Sequence, residues 1–153
     1  MLLLVKAYVV LTRGRLCLKI HKDLEQNLDI LTDRLGIGIS FDIILRKIKV
    51  GNKDAALLFL DGFVEAKTTQ GVIGALQRAK PEELVPNTVK KLMENQIPYF
   101  EISTVDSIDE LIQEVLAGPM ALLVNGTSQA LIIDVRQYPT RSIAEPDLER
   151  VTR

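Results

Sequence analysis

The side chains that most often carry catalysis are represented by a single cysteine, Cys17, and a single histidine, His21. These counts argue against a Cys–His nucleophile pair, a multi-histidine metal cage and a cysteine zinc site. A lone cysteine also excludes an intramolecular disulfide. A Ser-His-Asp triad would have to use His21, which lies just before the first helical pattern, and the chain has no nucleophile-elbow motif. The residue types therefore predict a protein without catalytic machinery.

Carboxylates are the next candidates, as acid–base pairs or as ligands of a hard cation. The residues considered are Asp54, Asp61, Glu65, Asp106, Asp109 and Glu110. Nothing in their spacing indicates a shared site, and Asp109 and Glu110 fit the solvated face of a helix. The glycine pattern Gly36-Ile37-Gly38 lacks the third glycine of a dinucleotide fingerprint and precedes a strand. The sequence thus predicts neither a metal nor a cofactor.

Two turns are the candidate ligand-binding positions, Asp61-Gly62 and Asn125-Gly126. Each follows an apolar strand, at the kind of strand end where open α/β sheets place ligands. Ordinary turn chemistry explains both turns without a ligand, because Asp-Gly and Asn-Gly are favoured in tight turns. Asn125-Gly126-Thr127 also matches a glycosylation sequon, which its role in a hairpin explains better.

The last eighteen residues are too polar to form a core and read as a charged tail or linker over 136–153. Candidate residues for docking to a protein partner are Arg136, Arg141, Glu145 and Asp147. A tail that only adds solubility is the alternative interpretation.

Composition narrows the class of partner. The net charge is −1, and aromatic residues make up 5% of the chain. Neither value favours a nucleic-acid surface or an anionic membrane surface. Residues 1–20 are apolar but interrupted by lysine and arginine, so they read as a leader or an extra strand and not as a membrane span. We expect an intracellular, soluble protein that works by binding.

Hydrophobic periodicity predicts the helices and strands that would carry these candidate residues. Leu24, Leu28, Leu31 and Leu35 form one helical stripe that ends at Gly36. Strand patterns over 41–50 and 55–60 are joined at Gly51-Asn52, and those over 120–124 and 130–135 are joined at Asn125-Gly126. Further helices are predicted over 69–78, 84–95 and from Ser107, with Ile108, Leu111, Ile112, Val115 and Leu116 buried, and a short strand over 98–105.

Together these elements predict an α/β (α+β) fold, with one compact domain over 21–135. We expect a mixed β-sheet of about five strands, including a hairpin near each end, packed with about four helices.

Four sequence blocks carry a resemblance to a known family. They are Leu35–Arg46 (LGIGISFDIILR), Ala55–Val64 (AALLFLDGFV), Val115–Gly126 (VLAGPMALLVNG) and Ala130–Arg150 (ALIIDVRQYPTRSIAEPDLER). In order and spacing they resemble the N-terminal cytosolic region of the spore-germination A-subunit family of endospore-forming bacteria. Within that family the chain is most similar to the stage V sporulation branch.

The resemblance implies a first α/β subdomain, joined by the charged tail to a second and then to a membrane domain. It implies a place on the cytoplasmic (spore core) face of the spore inner membrane. It also implies a non-enzymatic role through contact with other subunits or a membrane partner of a germination complex. Sensing of a small nutrient germinant near the two turns is the alternative.

Overall fold

The computed structural model describes residues 9–12, 15–97 and 101–137. Helices α1 to α5 span Leu24–Leu35, Ala66–Arg78, Pro81–Leu84, Thr88–Lys91 and Ile108–Leu116, and a π-helical turn over Leu92–Gln96 continues α4. Strands β1 to β7 span Val9–Thr12, Arg15–Leu18, Ile43–Val50, Lys53–Leu60, Ile102–Val105, Met120–Val124 and Ala130–Ile133. The predicted α/β class is confirmed.

Five of these strands form one sheet in the order β3-β4-β6-β7-β5, and every neighbouring pair is antiparallel. The predicted mixed sheet is therefore wrong in this detail. Strands β5 and β6, joined through α5, do run the same way, but β7 folds back from β6 and lies between them. The β6–β7 hairpin thus occupies the interior of the sheet and not one of its edges.

Helices cover both faces of the sheet. On one face, alternate strand residues such as Leu57 and Leu122 pack with α2, α3 and α4. On the other, their neighbours Leu58 and Leu123 pack with Ile20, α1 and α5. This is why β4, β6 and β7 are apolar along most of their length, since a strand buried on both sides has no polar face.

Capping residues bound α1 and α5, and the predicted end of α1 at Gly36 is confirmed. Asp23 caps α1 by accepting a hydrogen bond from the Glu25 N–H at 3.1 Å, and Gly36 ends the helix at φ 63°. Ser107 caps α5 by accepting from the Glu110 N–H at 3.1 Å. One predicted core residue is wrong, because Leu116 at the end of α5 is 52% exposed.

The single helix predicted over 84–95 is also wrong. The structure divides that stretch into α3 and α4. Val85 between them is extended, with φ −98° and ψ 149°. The following residue, Pro86, explains this, because its ring disfavours helical geometry at the residue before it and it has no N–H to donate.

Residues beside both predicted domain boundaries contact the rest of the described fold, and the division into a leader or extra strand, a subdomain and a tail stays a prediction. In the N-terminal segment, β1 and β2 pair as an antiparallel ribbon, and Ile20 is buried against α1 and α5. At the other boundary, Arg136 bridges to Val64, and the Gln137 N–H donates to the Phe63 carbonyl at 2.9 Å. Arg141, Glu145 and Asp147 lie outside the described residues.

Candidate functional site

The two predicted turns lie at opposite ends of the sheet. Asp61-Gly62 follows β4 and Asn125-Gly126 follows β6. These strands are antiparallel neighbours with Ala55 opposite Val124, so the end of one strand lies beside the start of the other. The structure therefore does not bring the two turns into a common cleft. We call the two regions the Phe41 end, which also holds Asp61-Gly62, and the Asn125 end.

The Asn125-Gly126 turn binds the start of α1. The Asn125 side-chain oxygen accepts a hydrogen bond from the Leu24 N–H at 3.0 Å. The Gly126 N–H donates to the Lys22 carbonyl at 2.7 Å, with Gly126 at φ 89°. A residue with a side chain rarely adopts that backbone angle. These contacts give the turn a structural role, because it satisfies backbone groups that precede and begin the helix.

The side chain of Asn27 also holds the segment that leads into α1. The buried side chain of Asn27 accepts from the His21 N–H at 2.9 Å and donates to the His21 carbonyl at 2.7 Å. The His21 imidazole is less well satisfied, since Nε2 is buried without a hydrogen-bond partner among the described residues. Such atoms are uncommon in native structures.

Two recesses flank the β6–β7 loop at this end. The larger, about 640 Å³, lies between Lys19–Asp23 on one side and Ser128 and Gln129 on the other. The smaller, about 200 Å³, lies between the same loop and the start of α4 at Asn87–Thr88. They share Lys22, Ser128 and Gln129 as walls.

The ion pairs beside the larger recess link the N-terminal segment to α5. Lys19 Nζ lies 2.8 Å from an Asp106 carboxylate oxygen, and this hydrogen bond raises the pKa of Lys19 above its ordinary value. Next to it, Asp109 accepts from the Leu18 N–H at 3.3 Å and pairs with Arg34 at 2.6 Å. The predicted solvated helix face is thus partly engaged in tertiary contacts.

The Phe41 end presents large apolar side chains to solvent. Ile39 is 85% exposed and Phe41 95%, in the loop that leads into β3. Phe63, just after β4, is 54% exposed, and Leu116 at the end of α5 is 52% exposed. The Asp61 N–H donates to the Asp42 carbonyl at 2.7 Å, which holds the first loop beside the end of β4. Exposed apolar groups collected in one region mark interaction sites.

Arg136, predicted to dock a partner, is engaged within the fold. Its guanidinium makes two hydrogen bonds to the nearly buried Asp134 carboxylate, at 2.8 and 2.5 Å. The side chain crosses Gly118, where a Cβ would come within 2.8 Å of the Arg136 Cδ. Gly118 is therefore required both for its φ of 118° and for this close approach.

Sequence reasoning missed the recess residues Lys22, Lys53 and Thr88, which come together only when β4, α1 and α4 pack. It also missed the exposed Ile39 and Phe41. For these two a signal was present, namely two large apolar residues in a loop marked by Gly36, Gly38 and Ser40.

Among residues 9–12, 15–97 and 101–137, no group of three or more His, Cys, Asp or Glu side chains is placed to hold a metal ion. Within the same described part, every helix is too short or too polar to cross a bilayer.

Comparison with known proteins defines the class. Residues 29–153 match the sequence profile of the family described as the Bacillus/Clostridium GerA spore germination protein, and the chain belongs to that family. It is therefore related to germinant receptors and sporulation proteins.

Individual relatives share about 30% of residues. The chain is 29% identical to stage V sporulation protein AF of Bacillus subtilis over 136 residues, which cover 89% of this chain and 28% of that protein. It is 30% identical to spore germination protein B1 of the same organism over 139 residues, again 89% of this chain and 28% of the relative. The chain thus spans about a quarter of the length of these relatives.

A solved structure supports the fold. The N-terminal domain of the A subunit of the Bacillus megaterium spore germinant receptor GerK3 superposes with a TM-score of 0.69 at 22% identity. The match covers 81% of this chain and 50% of that one.

Proposed function

We propose that this chain is a non-enzymatic docking domain of a spore-germination protein, acting by contact within a germination complex at the core-facing side of the spore inner membrane. The observation that carries the proposal is the Phe41 end. Its exposed side chains, Ile39, Phe41, Phe63 and Leu116, lie at the starts and ends of three successive strands of the sheet.

The occupant that best fits this surface is the other half of a germination-protein N-terminal domain. The match covers 50% of the solved GerK3 A-subunit domain, and we propose that the counterpart of the remaining half packs on this surface. Gln137 is bonded to Phe63, so the chain leaves the described fold at the Phe41 end. The residues after Gln137 therefore begin at the end of the sheet that carries the exposed side chains.

The charged residues after Gln137 would assist this contact. Arg141, Glu145 and Asp147 remain predicted docking residues, and Arg136 would act by fixing the exit path through its ion pair with Asp134. Reversal of charge at Arg141 or Glu145 is expected to impair germination without unfolding the domain.

The decisive test combines Phe41→Ser with Phe63→Ser in the germination protein, expressed in spores. We expect slower or incomplete germination at unchanged protein level. The Tm of the purified 153-residue chain should stay within about 2 °C of wild type, because exposed side chains away from special contacts change stability little. Val85→Ser is the matched control, since Val85 is 55% exposed at the Asn125 end. Wild-type germination in the double variant would contradict docking through this surface.

Sensing of a small nutrient is the second candidate function, favoured by the recesses beside Asn125-Gly126. The turn Asp61-Gly62 remains a predicted ligand position, although it lies at the opposite end. A nutrient that binds only the folded state, at a hundred times its dissociation constant, stabilises the chain by about 2.7 kcal/mol. The resulting rise in Tm is about 5–10 °C and should be absent with an inert analogue. A panel of nutrients without such a rise would count against sensing by this chain.

A further inference from the structure

We infer that the two recesses at the Asn125 end form one binding site for a small organic anion, with its carboxylate or phosphate group between Lys22 and Lys53 and its carbon skeleton in the larger recess. The recesses meet at Lys22, Ser128 and Gln129, so one molecule can reach both. A cavity of about 640 Å³ is in the range that holds small organic ligands.

The charge of the smaller recess selects an anion. Lys22 and Lys53 line it, and its described lining includes no acidic side chain. Neither lysine has a carboxylate within ion-pair distance among the described residues. Two unneutralised ammonium groups on one small concave surface attract negative charge.

Lys53 is the more informative of the two. Its side chain is half-buried, and its Nζ donates at 3.2 Å to the hydroxyl of Thr88, which is 5% exposed. An ammonium group has three protons to donate, and a neutral hydroxyl only partly compensates a desolvated charge. Gly126 leaves the approach open, because even a Cβ there would stay 3.8 Å from the Lys53 Nζ.

The larger recess is suited to the rest of the molecule. Its carboxylates already have partners, since Asp106 pairs with Lys19 and Asp23 caps α1. Ile20 and the aliphatic part of Lys22 supply apolar wall. His21 also lines this recess.

The test is titration of the ¹⁵N-labelled 153-residue chain with benzoate and phenyl phosphate, monitored at the amides of Gly126 and Ser128. We expect saturable shifts with at least one of these anions below about 10 mM, and none with benzylamine or benzyl alcohol. Inorganic phosphate should bind more weakly than phenyl phosphate, because it leaves the larger recess empty. Equal binding of benzylamine, or no saturable shift with either aromatic anion, would overturn the inference.

Matched variants localise the site. Lys22→Gln and Lys53→Gln should each weaken anion binding by about tenfold or more, as expected when a hydrogen bond to a charged group is lost. Lys67→Gln makes the same change of charge on an exposed residue at the Phe41 end and should leave binding within about twofold. An equal loss in all three variants would mean non-specific attraction and would contradict a site.

This inference rests on the recess that supports the second candidate function, but its failure can be told apart from the failure of sensing. Titration with simple anions tests the site on the purified chain. Germination of spores carrying Lys53→Gln tests sensing, and normal nutrient response in that variant, together with lost anion binding, would support the site and contradict sensing.

Discussion

The two ends of the sheet are closed in different ways. At the Asn125 end, side chains satisfy the backbone: Asn125 caps α1, and Asn27 bonds both backbone groups of His21. At the Phe41 end, the Asp61 N–H bonds the Asp42 carbonyl and Asp134 accepts from Arg136, while Ile39 and Phe41 remain in solvent. Polar side chains thus act at both ends, but the Phe41 end also carries large exposed apolar groups, which contribute little to the isolated fold.

Among these substitutions, Asn27→Ala is expected to cause the largest loss of stability. Asn27→Ala leaves the N–H and carbonyl of His21 without their partner, which should lower the free energy of unfolding by roughly 2–3 kcal/mol and the Tm by about 5–10 °C. The exposed neighbour Gln26→Ala is the control and should change stability by less than about 0.5 kcal/mol. Equal, small effects of both changes would show that side-chain bonding does not hold this end.

A smaller loss is expected at Asn125. Asn125→Ala removes the acceptor for the Leu24 N–H and should cost about 1 kcal/mol, or about 2–4 °C in Tm. Asn125→Asp keeps an acceptor and should recover most of this stability. Asn52→Ala, in the exposed β3–β4 turn, serves as the control. The capping role would be wrong if the Asp variant were as unstable as the Ala variant.

The smallest effect is expected at Glu65, near the Phe41 end. Its carboxylate accepts from the Thr68 hydroxyl and from the Thr68 N–H at 2.7 Å, and these hydrogen bonds hold its pKa below the ordinary value. A pKa lower in the folded state means that the charged form contributes stability above the ordinary pKa of glutamate. That contribution is lost as pH falls through the folded pKa.

Glu65→Gln should therefore lower the Tm slightly at about pH 7, and this difference should shrink as the pH falls through the lowered pKa of Glu65 in the folded state. Measuring the Tm of both proteins across this range checks the sign. The exposed Glu82→Gln is the control. A difference that grows towards acid pH would contradict the assigned cause.

Local patterns in the sequence predicted most of the elements but not their arrangement. The stripe of α1, the cap of α5 and both turns at Gly51 and Asn125 depend on residues close in sequence, and the structure confirms them. The insertion of β7 between β5 and β6 depends on packing between distant segments, which alternation of helices and strands does not specify. The interruption at Pro86 has a local cause, because a proline disfavours helical geometry at the residue before it.

The candidate site was likewise predictable from the sequence only where it depends on residues close together in the chain. The Asn125-Gly126 turn was recognised, but its bonds to Lys22 and Leu24 are tertiary contacts that no local spacing encodes. Lys22 and Lys53 belong to different elements, and only the antiparallel pairing of β4 with β6 brings Lys53 beside Gly126. The exposure of Phe41 has a local signal, because Gly36, Gly38 and Ser40 mark the loop that carries it.

The path of the chain has a mechanical consequence. After the β1–β2 ribbon, the chain joins the five-stranded sheet where Lys19 bridges to Ser107, after β5, and its last bridge is at Arg136, after β7, at the opposite end. Strands β5 and β7 are direct neighbours, so tension between these two points pulls one strand along the other. Because the ladder hydrogen bonds lie perpendicular to the strands, such tension loads them together in shear and not one after another. Under such a load the described sheet would resist through all the β5–β7 hydrogen bonds at once.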